Sequence, residues 1–279
     1  MSARRPPDCL ASQRLISING GETQHMTLAI ETAGLTRSFG ELRAVNAIDL
    51  RVERGTFYGF LGPNGAGKST TIKMLTGLLA PSAGSMLLLG EDPIHAERSL
   101  AVKSRIGVVP ENLGLFDNLT AREYLTFIGR MYLMPRDTIR ERTGELLTMM
   151  DLANEEKKLV LEYSHGMRKK LALAAALLPN PELLFLDEPF EGVDAVASRL
   201  LRDTLSRVVE RGATVFLTSH VLEIVEKLCT HVGIIAHGRL VCQDSMAALR
   251  GDGSLEDRFL QIVGAPEVER QKLSWLEGG

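Results

Sequence analysis

Apolar and polar residues alternate over short distances in the first part of the chain. The segments "LAIETA", "AIDLRVERG" and "FYGFL" lie between about residues 26 and 60 and are separated by turn residues. A period of two places successive side chains on opposite faces of a β-strand. The pattern therefore predicts an N-terminal antiparallel β-subdomain.

Apolar strands alternate with helices in the remainder of the chain. The segment "TIKMLTGLLA" has helical periodicity and ends before Pro81, and another helix is expected from about Ala195. The apolar runs that predict strands are "SMLLLG", "RIGVVP", "ELLFLDEP", "ATVFLTSH" and "HVGIIAHGRLVCQ". This alternation favours an α/β fold with a mostly parallel sheet and helices on both faces.

A helical segment interrupts the alternation between about residues 111 and 180. The helix in "TAREYLTFIGRMYLM" is expected to begin at a capping box formed by Thr120 and Glu123 and to end before Pro135. A second helix runs to about Asp151, and "MRKKLALAAALL" supplies a third. We interpret this segment as a helical subdomain inserted into the α/β core.

The two ends of the chain lack such patterns. Residues 1–25 contain the pairs Arg4-Arg5 and Pro6-Pro7 but no continuous apolar core of the kind found in secretory signals. We expect a flexible leader over 1–25, with Met26 as an alternative translation start, and a polar C-terminal tail over 265–279. The folded domain is expected to span 26–264.

Composition narrows the class of protein. The 279 residues carry a net charge of -3 and an isoelectric point near 6.1, which disfavours a protein held on nucleic acid by its charge. The basic run Arg168-Lys169-Lys170 is expected to be a solvated helix face. Three scattered cysteines without a CxxC pair indicate a reducing cytosol. The apolar runs are shorter than the roughly 20 residues of a membrane-spanning helix, so we expect no span.

A glycine-rich motif follows the strand "FYGFL". It matches G-x-x-x-x-G-K-[ST], the loop whose backbone N–H groups surround a phosphate chain at the start of a helix. The lysine would bind the outer phosphates, and the serine hydroxyl would bind Mg²⁺. A simple glycine turn is the alternative. The predicted phosphate-binding residues are Gly62, Pro63, Asn64, Gly65, Ala66, Gly67, Lys68, Ser69 and Thr70.

Two adjacent carboxylates end the apolar strand in "LLFLDEP". Side chains alternate along a strand, so Asp187 and Glu188 are expected to have different roles. Asp187 would help to hold Mg²⁺, and Glu188 would orient and deprotonate an attacking water. The alternative is a pair of acids that cap the next helix. His220 ends the strand "TVFLTS", where a lone histidine is typically a core or capping residue.

The segment "YSHGM" precedes the last helix of the insertion. Ser164 beside His165 suggests a nucleophile and a base, but neighbours in sequence rarely point at each other. A serine that caps the helix is the simpler interpretation.

The motifs "GPNGAGKST", "VVPE", "YSHGM", "LLFLDEP", "EGVD" and "TSH", in this order, resemble the ATP-binding cassette of ABC transporters over roughly residues 28–264. The resemblance implies a P-loop NTPase core, ATP and Mg²⁺ as cofactors, and a head-to-tail dimer with a second ATP-binding subunit. Ser164 and Gly166 would face the γ-phosphate of the ATP that Lys68 of the partner binds.

The resemblance also implies roles for residues whose own signal is weak. Phe39 would stack on adenine, although in isolation it suggests a core strand residue; Asp194 would couple the two sites, and His220 would contact the γ-phosphate. Glu111 occupies the position of a family glutamine that contacts Mg²⁺, and His165 replaces a glycine of the usual Ser-Gly-Gly turn. These two positions depart from the family pattern.

The predicted function is an ATP-binding and ATP-hydrolysing subunit of an ABC transporter, of exporter type, at the cytoplasmic face of the cell membrane. It would drive a separate membrane-spanning permease, in a homodimer or a heterodimer, without binding nucleic acid. One alternative is a soluble cassette that acts on DNA or ribosomes, which a single compact cassette without heptads disfavours. Another is a weakly catalytic regulatory subunit, which Glu111 and His165 suggest and ATP turnover would distinguish.

Overall fold

The computed structural model describes residues 28–94, 96–251 and 253–264. The predicted leader and tail lie outside these residues. Within the described part, the N-terminal segment forms a four-stranded antiparallel sheet in which β1 pairs with the other three strands. Its strands are β1 (Leu28–Phe39), β2 (Leu42–Ile48), β3 (Arg51–Glu53) and β5 (Ala83–Leu88). The predicted antiparallel β-subdomain is confirmed.

A second sheet forms the centre of the described chain. Its order is β10-β9-β4-β8-β7-β6, and every neighbouring pair is parallel except β10 with β9. The mostly parallel α/β fold is therefore confirmed. The strands are β4 (Phe57–Leu61), β6 (Ile106–Val109), β7 (Leu183–Asp187), β8 (Thr214–Ser219), β9 (His231–Ala236) and β10 (Arg239–Ser245).

Helices cover both faces of this sheet and fill the segment between β6 and β7. Thr120 caps α3: its Oγ1 accepts the N–H of Glu123 at 3.3 Å, and Glu123 Oε2 accepts the N–H of Thr120 at 2.9 Å, as the capping box predicted. The helices are α1 (Lys68–Leu75), α2 (Ala96–Lys103), α3 (Ala121–Met131), α4 (Arg136–Met149), α5 (His165–Leu177), α6 (Ala195–Glu210), α7 (Leu222–Leu228), α8 (Met246–Arg250) and α9 (Leu255–Val263).

Alternate residues of the central strands belong to two hydrophobic cores. In β7, Leu184 and Leu186 contribute to the larger core, which continues into α3, α4 and α5, whereas Phe185 contributes to the smaller one. The smaller core lies against the antiparallel sheet, and there Phe216 packs 5.7 Å from the ring of Phe185. The central sheet is thus buried on both faces, as expected for a parallel sheet.

The strand order determines which loops meet. Because β8 lies between β4 and β7, the loops that follow these three strands converge at one edge. Leu61 is level with Ser219, and Asp187 is level with Thr218. Ligands of open α/β sheets bind at this edge. In the part of the chain that the structure describes, no helix is both long and apolar enough to cross a membrane.

Candidate active site

The loop between β4 and α1 curves around the side chain of Lys68. Its Nζ donates to the carbonyl oxygens of Gly62 at 2.8 Å and Pro63 at 3.3 Å, and the residue is only 8% exposed. Gly67 has a φ of +110°, and a Cβ at this position would lie 2.6 Å from the carbonyl oxygen of Ala44. Only glycine fits there. The loop therefore presents backbone N–H groups and the start of α1 to an anion.

Asp187 connects this loop to the end of β7. Its Oδ1 accepts hydrogen bonds from Ser69 Oγ at 3.3 Å and from Thr218 Oγ1 at 2.6 Å. Thr218 Oγ1 in turn accepts the N–H of Glu188 at 3.1 Å. The buried threonine of β8 therefore holds both carboxylate-bearing residues in place.

Glu188 adopts a backbone conformation that is uncommon for a residue with a side chain. Its φ is +48°, in the left-handed region. Its Oε2 lies 3.0 Å from His220 Nδ1 and accepts the His220 N–H at 3.3 Å. The carbonyl oxygen accepts a hydrogen bond from Lys169 Nζ at 2.9 Å. The carboxylate is thereby directed into the space beside Lys68.

Of the residues described so far, Lys68, Ser69, Glu188 and His220 line one cleft of about 430 Å³. Within the described chain, the cleft contains the lysine of the loop and three glutamates. In addition to Glu188, these are Glu111 and Glu191. An anion such as a phosphate chain would be repelled by these acids unless a cation accompanied it. The lining residues are Ala44, Asn64, Gly65, Gly67, Lys68, Ser69, Thr70, Glu111, Glu188, Glu191 and His220.

Oxygen donors near Ser69 and Asp187 suit Mg²⁺, which prefers hydroxyl, carboxylate and phosphate oxygens. Among the described residues, no group of three or more His, Cys, Asp or Glu side chains is arranged to hold a metal alone. A Mg²⁺ ion in this cleft would therefore need phosphate oxygens to complete its coordination. The residues fit a metal that arrives with a nucleotide.

The turn before α5 lies apart from this cleft. Ser164 caps α5, with Oγ accepting the N–H of Met167 at 3.3 Å, and the residue is exposed. Asp194 caps α6 by accepting the N–H groups of Ala197 and Val196, and these hydrogen bonds hold its pKa below the usual value. Ser164, Gly166 and Asp194 are not among the residues that line the cleft of their own chain, as far as the structure describes it.

Phe39 is at the end of β1 and is 45% exposed, so it is not a core residue. The guanidinium of Arg37 lies 4.7 Å from the centre of its ring. Phe39 does not line the cleft in the described chain, and its contact with adenine stays a prediction.

A family model described as "ABC transporter" matches residues 45–191, which include the loop, Glu111, the turn before α5 and both strand-end carboxylates. The chain belongs to the ABC transporter family. It is an ATP-binding and ATP-hydrolysing subunit of that family.

Two similar proteins of the ABC transporter family are named for export or transport. Nod factor export ATP-binding protein I of Rhizobium sp. (strain N33) is 41% identical over 80% of this chain and 72% of that protein. The bacitracin transport ATP-binding protein BcrA of Bacillus licheniformis is 40% identical over 77% of this chain and 69% of that protein.

The fold is likewise that of ABC transporter subunits. A solved ATP-binding subunit of an ABC transporter has a TM-score of 0.78 and 26% identity, covering 84% of this chain and 99% of that one. An ATP-binding cassette in complex with ADP and Pi shares the fold, with a TM-score of 0.71 at 22% identity over 78% of this chain and 98% of that one.

Sequence reasoning missed several residues of this ABC transporter site. Thr218 precedes His220 in the motif "TSH", yet a threonine within a strand carries no separate signal. The interpretation of Arg168-Lys169-Lys170 as a solvated face is wrong for the two lysines, which are 3% and 8% exposed. Lys169 is turned inward, and its Nζ donates to the carbonyl oxygen of Glu188 just after β7 at 2.9 Å.

Proposed function

We propose that this subunit hydrolyses ATP in the cleft between Lys68 and Glu188 and thereby drives export through a separate membrane-spanning permease. The observation that carries the proposal is the convergence of the loop lysine and a strand-end carboxylate in one cleft. The export direction is supported by relatives named for Nod factor export and daunorubicin resistance. The subunit would act at the cytoplasmic face of the cell membrane.

The glycine-rich loop would bind the phosphate chain of ATP. The N–H groups at the start of α1 and the ammonium of Lys68, which lines the cleft, would contact the phosphates, and Phe39 would stack on the adenine. Ser69, Asp187 and Glu111 would hold Mg²⁺. The metal, when bound, neutralises negative charge on the outer phosphates.

Glu188 would act as the general base. Its carboxylate is fixed by His220 on one side, and it faces the cleft that receives the outer phosphates. In this position it can orient a water and take its proton as the water attacks phosphorus. His220 would stabilise the charge that develops at the γ-phosphate, and Lys68 would stabilise it from the opposite side.

A second subunit would complete the site. Ser164 is exposed at the start of a helix and points to no group of its own cleft, so its hydroxyl and the backbone of Gly166 are available to a phosphate of the partner. Asp194 lies beside Gly166: a Cβ on that glycine would be 3.5 Å from Asp194 Oδ2. This proximity supports a role for Asp194 in coupling the two sites. The partner would be identical or a related subunit.

The test is the variant Glu188→Gln in the purified chain. ATP binding should persist, turnover should fall by about 10²–10⁴-fold because a positioned base contributes that factor, and ATP should hold the chain as a dimer. The matched control is Glu210→Gln, which changes an exposed glutamate at the end of α6. Turnover of Glu188→Gln at the control rate would refute the assignment.

The permease is tested separately. A tagged version of the chain is purified from detergent-solubilised cell membranes. A membrane protein with several spanning helices should co-purify with it. Isolation of the chain with only a second ATP-binding subunit would contradict the transporter assignment and leave the ATPase assignment intact.

A further inference from the structure

Lys169 is a buried cation next to the proposed catalytic centre. It lies in the first half of α5 and is 3% exposed, and its Nζ donates to the carbonyl oxygen of Glu188 at 2.9 Å. Burial lowers its pKa from the usual value, while the carboxylates of Glu191, Glu188, Asp187 and Glu111 favour the charged form. An apolar side chain would fill this space without the desolvation penalty of an ammonium. The lysine at this position therefore suggests a role beyond packing.

Glu188 needs such a contact because its backbone is strained. A φ of +48° is unfavourable for a residue with a Cβ and persists only where surrounding groups enforce it. The N–H is held by Thr218 at 3.1 Å and the carbonyl by Lys169 at 2.9 Å, so both peptide groups that flank the residue are fixed. The direction of the carboxylate depends on both contacts.

Helix α5 also contacts the segment that follows β7 at a second point. His165 Nε2 lies 3.2 Å from the carbonyl oxygen of Glu191, three residues beyond Glu188. Since His165 and Lys169 are four residues apart, they lie on the same face of α5. Ser164 caps this helix. The exposed turn and the backbone of Glu188 are therefore joined through a single turn of helix.

We propose that Lys169 is a positioning residue for ATP hydrolysis, which holds the backbone of Glu188 so that its carboxylate faces the nucleotide and which links that carboxylate to the turn at Ser164. The inference rests on the proposed function of Glu188 as the base. Contact of a second subunit with the Ser164 turn would be transmitted to Glu188 by the rigid first turn of α5. Nucleotide binding itself would not depend on Lys169, because its ammonium contacts the carbonyl and not the cleft.

The experiment measures steady-state turnover and calorimetric ATP affinity of the purified full chain for Lys169→Met, Glu188→Gln and the double variant. Lys169→Met keeps the length and packing of the side chain and removes the donor. The control is Lys170→Met, which removes a neighbouring buried lysine whose Nζ lies 3.6 Å from Asp151, away from the cleft. Thermal unfolding of each variant accompanies the kinetics.

We expect Lys169→Met to lower kcat by about 10- to 100-fold with ATP affinity within twofold of wild type, since small misplacement of a catalytic group has effects of this size. Lys170→Met should retain wild-type turnover. In the Glu188→Gln background, Lys169→Met should produce no further loss, because both changes disable the same group.

Unchanged kcat in folded Lys169→Met, while Glu188→Gln is inactive, would overturn the inference and leave the proposed function standing. An equal fold-loss in both backgrounds would also overturn it, since Lys169 would then act apart from Glu188. Wild-type turnover by Glu188→Gln would refute the base itself. If Lys169→Met does not fold, Lys169→Gln, which is polar and too short to reach the carbonyl, is judged by the same criteria.

Discussion

Thr218→Val removes a single hydroxyl from the centre of the proposed site and keeps the shape of the side chain. Thr218 is 0% exposed, and its Oγ1 donates to Asp187 at 2.6 Å and accepts from the Glu188 N–H at 3.1 Å. The substitution therefore leaves a buried carboxylate without one donor and a buried amide without its acceptor.

The expected loss of stability follows from these two contacts. A hydrogen bond to a charged group contributes about 1.5–3 kcal/mol, and an unsatisfied buried amide costs about 1–3 kcal/mol. The free energy of unfolding should therefore fall by about 2.5–6 kcal/mol. Turnover should fall by about 10-fold or more, because both carboxylates lose their alignment with the loop.

Thr214→Val is the matched control in the same strand. Thr214 is 1% exposed, and its Oγ1 accepts the N–H of Gly55 at 3.0 Å. Gly55 is exposed, so its amide can bind water instead, and the loss should be about 0.5–1.5 kcal/mol. Thr214 is at the opposite end of β8 from the cleft, so turnover should remain at the wild-type level.

Urea unfolding gives the two stabilities, and steady-state ATP hydrolysis gives the two rates. The reasoning would be refuted if Thr218→Val and Thr214→Val unfolded at the same midpoint and hydrolysed ATP equally fast. A stability loss in Thr218→Val without any loss of turnover would show that the hydroxyl supports the fold but not the alignment of the carboxylates.

Three further variants test binding. Lys68→Ala should weaken ATP affinity by at least about 10-fold, because it removes a charge-assisted contact to phosphate; unchanged affinity in calorimetry would contradict this role. Ser164→Arg should leave ATP binding by the single subunit intact but prevent ATP-dependent dimerisation, measured by size-exclusion chromatography; a normal dimer would argue against a role at the partner's site. Glu111→Gln should make ATP affinity less dependent on Mg²⁺, because a carboxylate attracts the metal and repels ATP in its absence. Superimposable Mg²⁺ titrations would show that the carboxylate does not reach the metal.

The parts of the site that sequence predicts are those in which local pattern determines structure. The loop from Gly62 is set by glycine and the flanking strand and helix, and the apolar run before Asp187 is long enough to predict a buried strand. The capping box at Thr120 is equally local, since both hydrogen bonds join residues three apart. Each of these predictions required only neighbouring residues.

Contacts between distant segments cannot be predicted from neighbouring residues in this way. Lys169 belongs to a basic run that, by composition, is typical of an exposed helix face. It is buried only through tertiary contacts, which include its hydrogen bond to the carbonyl oxygen of Glu188. Thr218 is an ordinary strand residue until the register brings it level with Asp187, 31 positions earlier. These contacts arise from tertiary structure and produce no periodic pattern in the sequence.

The turn between β9 and β10 is marked by a short local sequence. The sequence pattern suggested a single run, "HVGIIAHGRLVCQ", whereas the structure turns at His237 and Gly238 with φ values of +49° and +75°. Two central residues with positive φ are typical of two-residue hairpin turns. Such turns favour glycine at the second position, which Gly238 occupies here. The residues His237 and Gly238 therefore divide the apolar run into the two strands β9 and β10.

The larger core runs from α3 and α4 through α5 into the central sheet without interruption, so that Leu125 and Leu217 belong to one cluster. The helical segment is inserted in sequence, but it shares its interior with the domain that contains it. It is therefore not an exchangeable module. A chimera that transplanted 111–180 into another cassette would have to carry the facing residues of β7 and β8 with it, and recombination in nature would meet the same constraint.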